Sequence, residues 1–368
     1  MPHPRLSRSL TVLLAVLALV VAACGGADET QAGDADGGEP EPTAGEQGTD
    51  DEGGADVAAD CSVFEGETIT LIVPFSPGGG YDSYSRMLAP YLGEELGAQV
   101  IVENEDGAGG LLAINNLITV EPDGTRIAIM NAVGVGGGAI AESEGVQFEL
   151  DDLSYIGRVG ASSHIFATGT DSSHETFDDV LASDEFTFGS AGPGAADFVN
   201  ANLLIEMFDL NARIVTGFEG SEENELAVTR GDVDAMTGDF DSRLPAIENG
   251  DHRPLLLLGT EPDDAIPDTP AILELELDEE QEALATALID LLEFGRPIVG
   301  PPGMEEDRLT CLRDALQRVV DRDDLIAESE ESGRPINWLT GEEVDELVQR
   351  LLDAPPEFAE ILTEAYAE

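Results

Sequence analysis

Thr68-Ile69-Thr70-Leu71-Ile72-Val73-Pro74-Phe75 is a β-branched apolar run of strand length, and Gly78-Gly79-Gly80 ends it. Beyond the glycines, apolar positions return at helical spacing through Met87, Leu92 and Leu96. Asp82 and Ser83 are the expected N-caps of that helix and Gly97 its stop, while Pro90 is expected to kink it or divide it in two. Residues 99–103 predict a second strand, Gly107-Ala108-Gly109-Gly110 opens a helix over 111–120, and 126–130 predict a third strand closed by Asn131 and the glycine-rich turn 134–138. The cycle of strand, glycine loop and helix then returns. Thr187-Phe188 runs into Gly189-Ser190-Ala191-Gly192-Pro193-Gly194 and a helix over 196–207, and Ile214-Val215 runs into Gly217-Phe218-Glu219-Gly220-Ser221 and a helix ending at Thr229. Residues 233–236 and 255–258 have strand character. Segments 279–292, 305–320 and 341–352 carry apolar residues at helical spacing with acids between them, the pattern of surface helices with solvated acidic faces. This alternation predicts an α/β fold on mainly parallel sheets flanked by helices.

The first sixty residues do not follow that pattern. Arg5 and Arg8 precede an apolar run over 10–23, too short for a comfortable membrane span and suited to a signal segment. The run ends Val21-Ala22-Ala23-Cys24, followed by Gly25-Gly26, which resembles the bacterial lipobox. Residues 1–23 are therefore expected to be a lipoprotein signal peptide and Cys24 the lipidated N-terminus of the mature chain; a plain secretory signal cleaved after Ala-Ala is the alternative. Residues 24–60, rich in Gly, Asp, Glu, Pro and Ala, cannot bury enough apolar surface to offset their ordering entropy and read as a disordered acidic tether.

Charge narrows the function. Asp and Glu number 77 against 16 basic residues, all of them Arg, for a formal net charge of −61. No basic face is available for phosphate neutralisation, so a nucleic-acid partner is excluded, as is attraction to anionic lipid. So acidic a surface fits a salty milieu, where a Debye length of about 3 Å at molar salt quenches self-repulsion; the other reading is drift from Lys to Arg in a high-GC genome. Without Lys there is neither a P-loop lysine nor a Schiff-base lysine. His3, His164, His174 and His252 lack ligand-type spacing, so no metal and no cofactor is expected. With Cys24 lipidated, Cys61 and Cys311 remain as an even pair in an oxidising compartment and are the expected disulfide.

Glycine loops after strands place helix N-termini, with their unpaired N–H groups and partial positive charge, where ligands of open α/β sheets bind. The four loops around 77–82, 107–110, 190–195 and 218–221 thus form anion cradles made without basic side chains. They also carry a family resemblance. Ile72-Val73-Pro74-Phe75-Ser76-Pro77-Gly78-Gly79-Gly80-Tyr81-Asp82, Val102-Glu103-Asn104-Glu105-Asp106-Gly107-Ala108-Gly109-Gly110 and Pro122-Asp123-Gly124-Thr125 resemble, in order, segments of the substrate-binding proteins of tripartite tricarboxylate transporters, the Bug family. Phe188-Gly189-Ser190-Ala191-Gly192-Pro193-Gly194, the segment from Phe218-Glu219-Gly220 through Gly231-Asp232-Val233-Asp234, Ile266-Pro267-Asp268-Thr269-Pro270 and Gly300-Pro301-Pro302-Gly303 continue the likeness.

The resemblance implies a two-lobed periplasmic-binding-protein-like fold of type II, with lobe one over 62–162 plus 255–368, lobe two over 163–254 and a small organic carboxylate in the cleft between them. It implies ligand contacts from Pro77, Gly78, Gly79, Gly80, Tyr81 and Asp82 in the first loop, and from Gly107, Ala108, Gly109 and Gly110 in the second. Ser190, Ala191, Gly194 and Ala195 would serve in the third loop, Phe218 in the fourth, and Asn131 beside them. Backbone N–H groups of 78–82 and 107–110 are expected to receive one carboxylate, with Tyr81, Asn131 and Ser190 adding side-chain hydrogen bonds and Asp82 capping its helix or ordering a water. The chain departs from the family at Leu111, Ala195, Asp197 and Phe218-Glu219-Gly220-Ser221, which bear on the second lobe's contacts.

By the same resemblance the partners are integral-membrane transporter subunits and the receptor acts as a monomer on the outer face of the cytoplasmic membrane. Two rival functions stay open, a solute sensor feeding a membrane kinase and an exported enzyme. For the latter the residues offer little. Gly134-Val135-Gly136-Gly137-Gly138-Ala139 fits a dinucleotide fingerprint only superficially, and Ser162-Ser163-His164 are mere sequence neighbours. Asp239 and Asp241 read as solvated surface residues. No catalytic residue is therefore assigned.

Overall fold

The computed structural model describes residues 61–218 and 220–367. The expected signal peptide, the expected lipidation site Cys24 and the expected tether lie outside these residues.

Among the described residues, eleven strands form two sheets. The first holds β1 (Thr68–Val73), β2 (Gln99–Asn104), β3 (Arg126–Ile129), β4 (Ser154–Arg158), β10 (Pro297–Gly300) and β11 (Leu339–Thr340); the second holds β5 (His164–Gly169), β6 (Phe186–Ser190), β7 (Ala212–Thr216), β8 (Ala235–Asp239) and β9 (His252–Leu258). Twelve helices among the described residues surround them: α1 (Gly80–Leu96), α2 (Leu111–Leu117), α3 (Gly137–Ile140), α4 (Phe177–Leu181), α5 (Ala196–Phe208), α6 (Ser221–Arg230), α7 (Phe240–Glu248), α8 (Glu279–Phe294), α9 (Glu306–Val320), α10 (Asp323–Glu331), α11 (Gly341–Leu352) and α12 (Pro356–Ala367).

The sheet orders are β11-β4-β10-β3-β1-β2 and β7-β6-β8-β5-β9. In each, a strand that has just crossed from the other lobe (β10 in the first, β5 in the second) is inserted beside the third local strand. Those crossover strands run antiparallel to their neighbours, β10 to β3 and β4, β5 to β8 and β9. The sheets are therefore mixed, and the parallel expectation describes only their βαβ halves: β1 with β2 and β3, and β6 with β7 and β8. A strand that arrives from the other lobe does not need the right-handed helical return that makes neighbours parallel.

β1 alternates between two apolar layers. Ile69, Leu71 and Val73 face a cluster with Leu88, Leu92, Leu312 and Leu316, and Ile72 faces a second with Ala113, Ile114 and Leu117. That second cluster continues through Phe294, Leu288 and Phe358 to Phe166, Phe186 and Phe188 of the other sheet, so the lobes share a floor of packed side chains. Cys61, in a 3-10 turn over Cys61–Phe64, is joined by a disulfide to Cys311 of α9, with Cα atoms 5.4 Å apart.

α1 differs from its expected form in where it starts and in not being divided at Pro90. It begins at Gly80 with Gly79 as N-cap, which places Asp82 in the first turn rather than at the cap. It also runs through Pro90 as one helix, because its buried face of Met87, Leu88, Leu92 and Leu96 holds the segment against the sheet and offsets the one lost backbone bond. Gly97 ends it in the left-handed region at φ 60°.

Candidate ligand-binding cleft

The glycine loops meet at the carboxyl ends of β1, β2, β3 and β6. Asp82 organises the first. Its carboxylate is buried and accepts from the Gly78 N–H at 2.9 Å, Asn104 Nδ2 at 3.0 Å and Arg86 Nε at 2.9 Å. The Arg86 hydrogen bond, helped by the Gly78 and Asn104 donors, outweighs burial and lowers its pKa to about 2. Asp197, second residue of α5, does the same for the third loop: it accepts from Ser190 Oγ at 2.9 Å, the Ala191 N–H at 3.1 Å and the Phe198 N–H at 2.9 Å. Both lobes thus use a helix-first-turn aspartate to pull the preceding loop into shape.

The second loop needs its glycines. Gly107, Ala108, Gly109 and Gly110 have φ of 150°, 48°, 64° and 104° in succession. A Cβ at Gly110 would stand 3.1 Å from Pro74 Cβ, so both its backbone and its neighbours favour glycine. Asn131 then joins three loops. Its Nδ2 donates to Gly109 O at 3.0 Å, while its Oδ1 accepts from Tyr81 Oη at 3.0 Å and from the Gly134 N–H at 3.3 Å.

These elements open on a cavity of about 280 Å³ between the lobes. Tyr81, Asn131, Ala191 and Ala195 line it, as do Ser162, His164, Thr237, Asp239, Ser242, Arg243 and Arg296. A neighbouring cavity of about 480 Å³ is lined by Ala108, Gly109, Asn131, Gly194, Ala195 and Tyr366, and another of about 320 Å³ by Gly80, Tyr81, Tyr84, Asp239, Arg296 and Arg334. Of the residues singled out in sequence, Pro77, Gly78, Gly79, Asp82, Gly107, Gly110, Ser190 and Phe218 line none of the three. Gly78 spends its N–H on Asp82, Ser190 is fully buried against Asp197, and Phe218 packs on the cluster of Ala227, Val228, Val233 and Met236.

The cavity's charged side chains escaped the sequence reading. Asp239, read there as a solvated surface residue, lies in the cleft with its side chain 27% exposed. It accepts from Ser162 Oγ, from the Ser242 N–H at 3.0 Å and from Ser242 Oγ at 2.8 Å. Burial would raise its pKa, but the Ser162 hydrogen bond, nearby His164 and the Ser242 bonds together lower it. Arg296 approaches Asp239 Oδ2 at 3.7 Å, and buried Arg243 pairs with Glu225. The cradle is therefore not built from neutral donors alone. His164, fully enclosed and 2.7 Å from Asn200 Nδ2, is held by burial at a pKa of about 4 and so is neutral near pH 7. The sequence signal that could have found the arginines is scarcity: with 16 basic residues against 77 acidic ones, an Arg inside the motif Gly295-Arg296-Pro297 stands out.

Among the described residues, no group of three or more His, Cys, Asp or Glu is arranged to hold a metal ion, and no helix is long and apolar enough to cross a membrane.

Comparison with known proteins places this architecture. The model of the family described as "Tripartite tricarboxylate transporter family receptor" matches residues 84–326. An Agrobacterium vitis protein encoded in the TAR-I ttuE-ttuC' intergenic region is 32% identical over 141 residues, which span 37% of this chain and 40% of that relative. A TctC solute binding protein from Polaromonas, solved without ligand, superposes with a TM-score of 0.66 at 18% identity, covering 81% of this chain and 98% of that one. MatC from Rhodopseudomonas palustris, solved with bound malate, superposes with a TM-score of 0.61 at 19% identity, covering 80% of this chain and 99% of that one. The structural likenesses establish the two-lobed binding-protein fold, and the family match over more than half the sequence establishes the lineage: this chain belongs to the TctC family of tripartite tricarboxylate transporter receptors, which are solute-binding proteins.

Proposed function

We propose that this protein is an extracytoplasmic lipoprotein that captures a small organic carboxylate in the interlobe cleft and delivers it to the integral-membrane subunits of a tripartite tricarboxylate-type transporter. The observation that carries the reading is the cavity of about 280 Å³ to which both lobes contribute strand ends and the first turns of α1, α5 and α7. The partial positive charge at these helix N-termini favours an anion. MatC, which shares the fold, holds malate. Binding is also a better account of the polar groups than catalysis, because the buried His164 ring is hydrogen-bonded to Asn200 rather than to a hydroxyl nucleophile. Cys24, in Val21-Ala22-Ala23-Cys24, supplies the membrane anchor.

A thermal-shift screen of mono-, di- and tricarboxylates in high salt tests the capture step. One class should raise the melting midpoint by several degrees, since ligand at about 100 times its dissociation constant adds roughly 2.7 kcal/mol. No shift across the panel would refute carboxylate binding. Intact-mass analysis of the membrane fraction should find diacylglycerol on Cys24, and a Cys24→Ser variant that stays membrane-bound would refute the anchor.

A further inference from the structure

Arg296 is set into the cleft more firmly than a surface arginine. Its backbone is clamped at the crossover between the lobes, where its N–H donates to Gly160 O at 2.7 Å and its carbonyl accepts from the Val159 N–H at 3.2 Å. Its guanidinium carbon lies over two aromatic rings, 5.4 Å from the centre of Tyr81 and 5.5 Å from that of Tyr84. Two stacking surfaces fix the plane of the fork before any ligand arrives.

Yet this fork is short of acceptors. Its Nε is buried with no hydrogen-bond partner among the described residues. Its contact with Asp239 is an ion pair at 3.7 Å, beyond hydrogen-bond distance. Asp239 does not depend on that contact, because Ser162 and Ser242 already supply three donors to its carboxylate. An oriented guanidinium with donors to spare in a confined space is costly unless an anion completes it. Arg243, contributed by the other lobe and only 5% exposed, lines the same cavity, and its Nε is likewise buried without a partner.

We infer that Arg296 is a ligand-binding residue that makes the cleft selective for a dicarboxylate. One carboxylate sits at the Tyr81–Asn131 end against the glycine loops. The second takes the fork of Arg296, with Arg243 facing it from lobe two. The inference rests on the reading that the cleft binds carboxylates and adds to it the number of negative charges required. A monocarboxylate would fill the glycine-loop end and leave the arginine donors unmatched.

Calorimetry with L-malate and with butyrate on the full folded chain in high salt tests this. The wild type should bind malate more tightly than butyrate. Arg296→Gln, once its melting midpoint shows a folded protein, should lose on the order of 10- to 100-fold in malate affinity while butyrate affinity stays within about threefold, the loss expected for a charge-assisted anchor. An equal loss for both ligands, or none for either, would overturn the inference while leaving carboxylate binding intact. If the wild type binds neither, the inference falls, and the functional reading is decided separately by the wider carboxylate panel. If Arg296→Gln does not fold, Asp239→Asn decides: it removes the carboxylate that competes for the fork and keeps an oxygen to cap α7. Malate affinity should then rise by about three- to tenfold, and an unchanged or weaker affinity would overturn the assignment.

Discussion

Asp82 and Asp197 show how one carboxylate can fix the shape of a glycine loop. Each sits in the first turn of a helix: Asp82 accepts from the Gly78 N–H before it and from Asn104 at the end of β2, and Asp197 accepts from Ser190 Oγ and the Ala191 N–H before it, so these donors are spent on holding the loops in form. His164 occupies a different position, enclosed near Asp239, Arg296 and Arg243. Burial depresses its pKa from 6.5 to about 4, Arg296 and Arg243 push it the same way, and Asp239 opposes them. Between those two pH values the unfolded chain binds a proton at this site that the folded chain refuses. Its contribution to stability is therefore complete above about pH 6.5 and is lost as the pH falls toward 4. At pH 5 the linked cost is about 2 kcal/mol. Denaturation midpoints of the wild type and a His164→Gln variant, measured at pH 7 and pH 5, should show a smaller acid loss in the variant. Parallel losses would rule out His164 as the titrating group.

The elements are positioned by contacts distant in sequence. Cys61 and Cys311, separated by 250 positions, staple the 3-10 turn before β1 to α9 beneath the first sheet. In the chain-entropy account, closing so long a loop stabilises the folded state by about 5 kcal/mol. A double variant carrying Cys61→Ser and Cys311→Ser should melt several degrees lower, and the unreduced wild type, unfolded, should titrate no free thiol at either position. Unchanged melting would mean that the packing of Phe64, Leu312 and Leu316 holds the junction without the bond. α12 is a second long-range tie. Tyr366 Oη donates to Val133 O at 2.7 Å, which brings the last helix to the edge of the cavity lined by Gly109 and Gly194.

For the whole molecule, a net charge of −61 outweighs any single ion pair. Exposed pairs such as Arg322 with Glu94 and with Asp324, each at 3.0 Å, contribute little in water and are themselves screened by salt. Self-repulsion among the acidic side chains is screened as well, and it is the larger effect here. Stability should therefore rise as salt increases from tens of millimolar to molar, and the association rate with an anionic ligand should rise with it because the opposing field shortens. A melting midpoint that is flat or falling over that range would identify the acidity as compositional drift.

Much of the local design was legible in the sequence. The β-branched run of β1, the glycine breaks, the Gly97 stop and the apolar spacing of α5, α8, α9 and α11 depend on neighbours within a few residues, and such patterns report themselves. The glycine loops after strands, and the motifs they share with one family, were enough to indicate a two-lobed binding fold. The start of α1 at Gly80, the antiparallel crossover strands β5 and β10 and the shared floor of side chains under both lobes were not, because each is decided by packing against segments far along the chain. The charged wall of the cavity belongs to the same class. His164, Asp239, Arg243 and Arg296 come from four separate elements or junctions, and their neighbours in sequence do not place them at a cleft. The sequence alone determined where glycine loops follow strands and open helices; only the tertiary structure decided which side chains line the cleft, because burial, and with it the electrostatic weight of a charge, exists only once the lobes have come together.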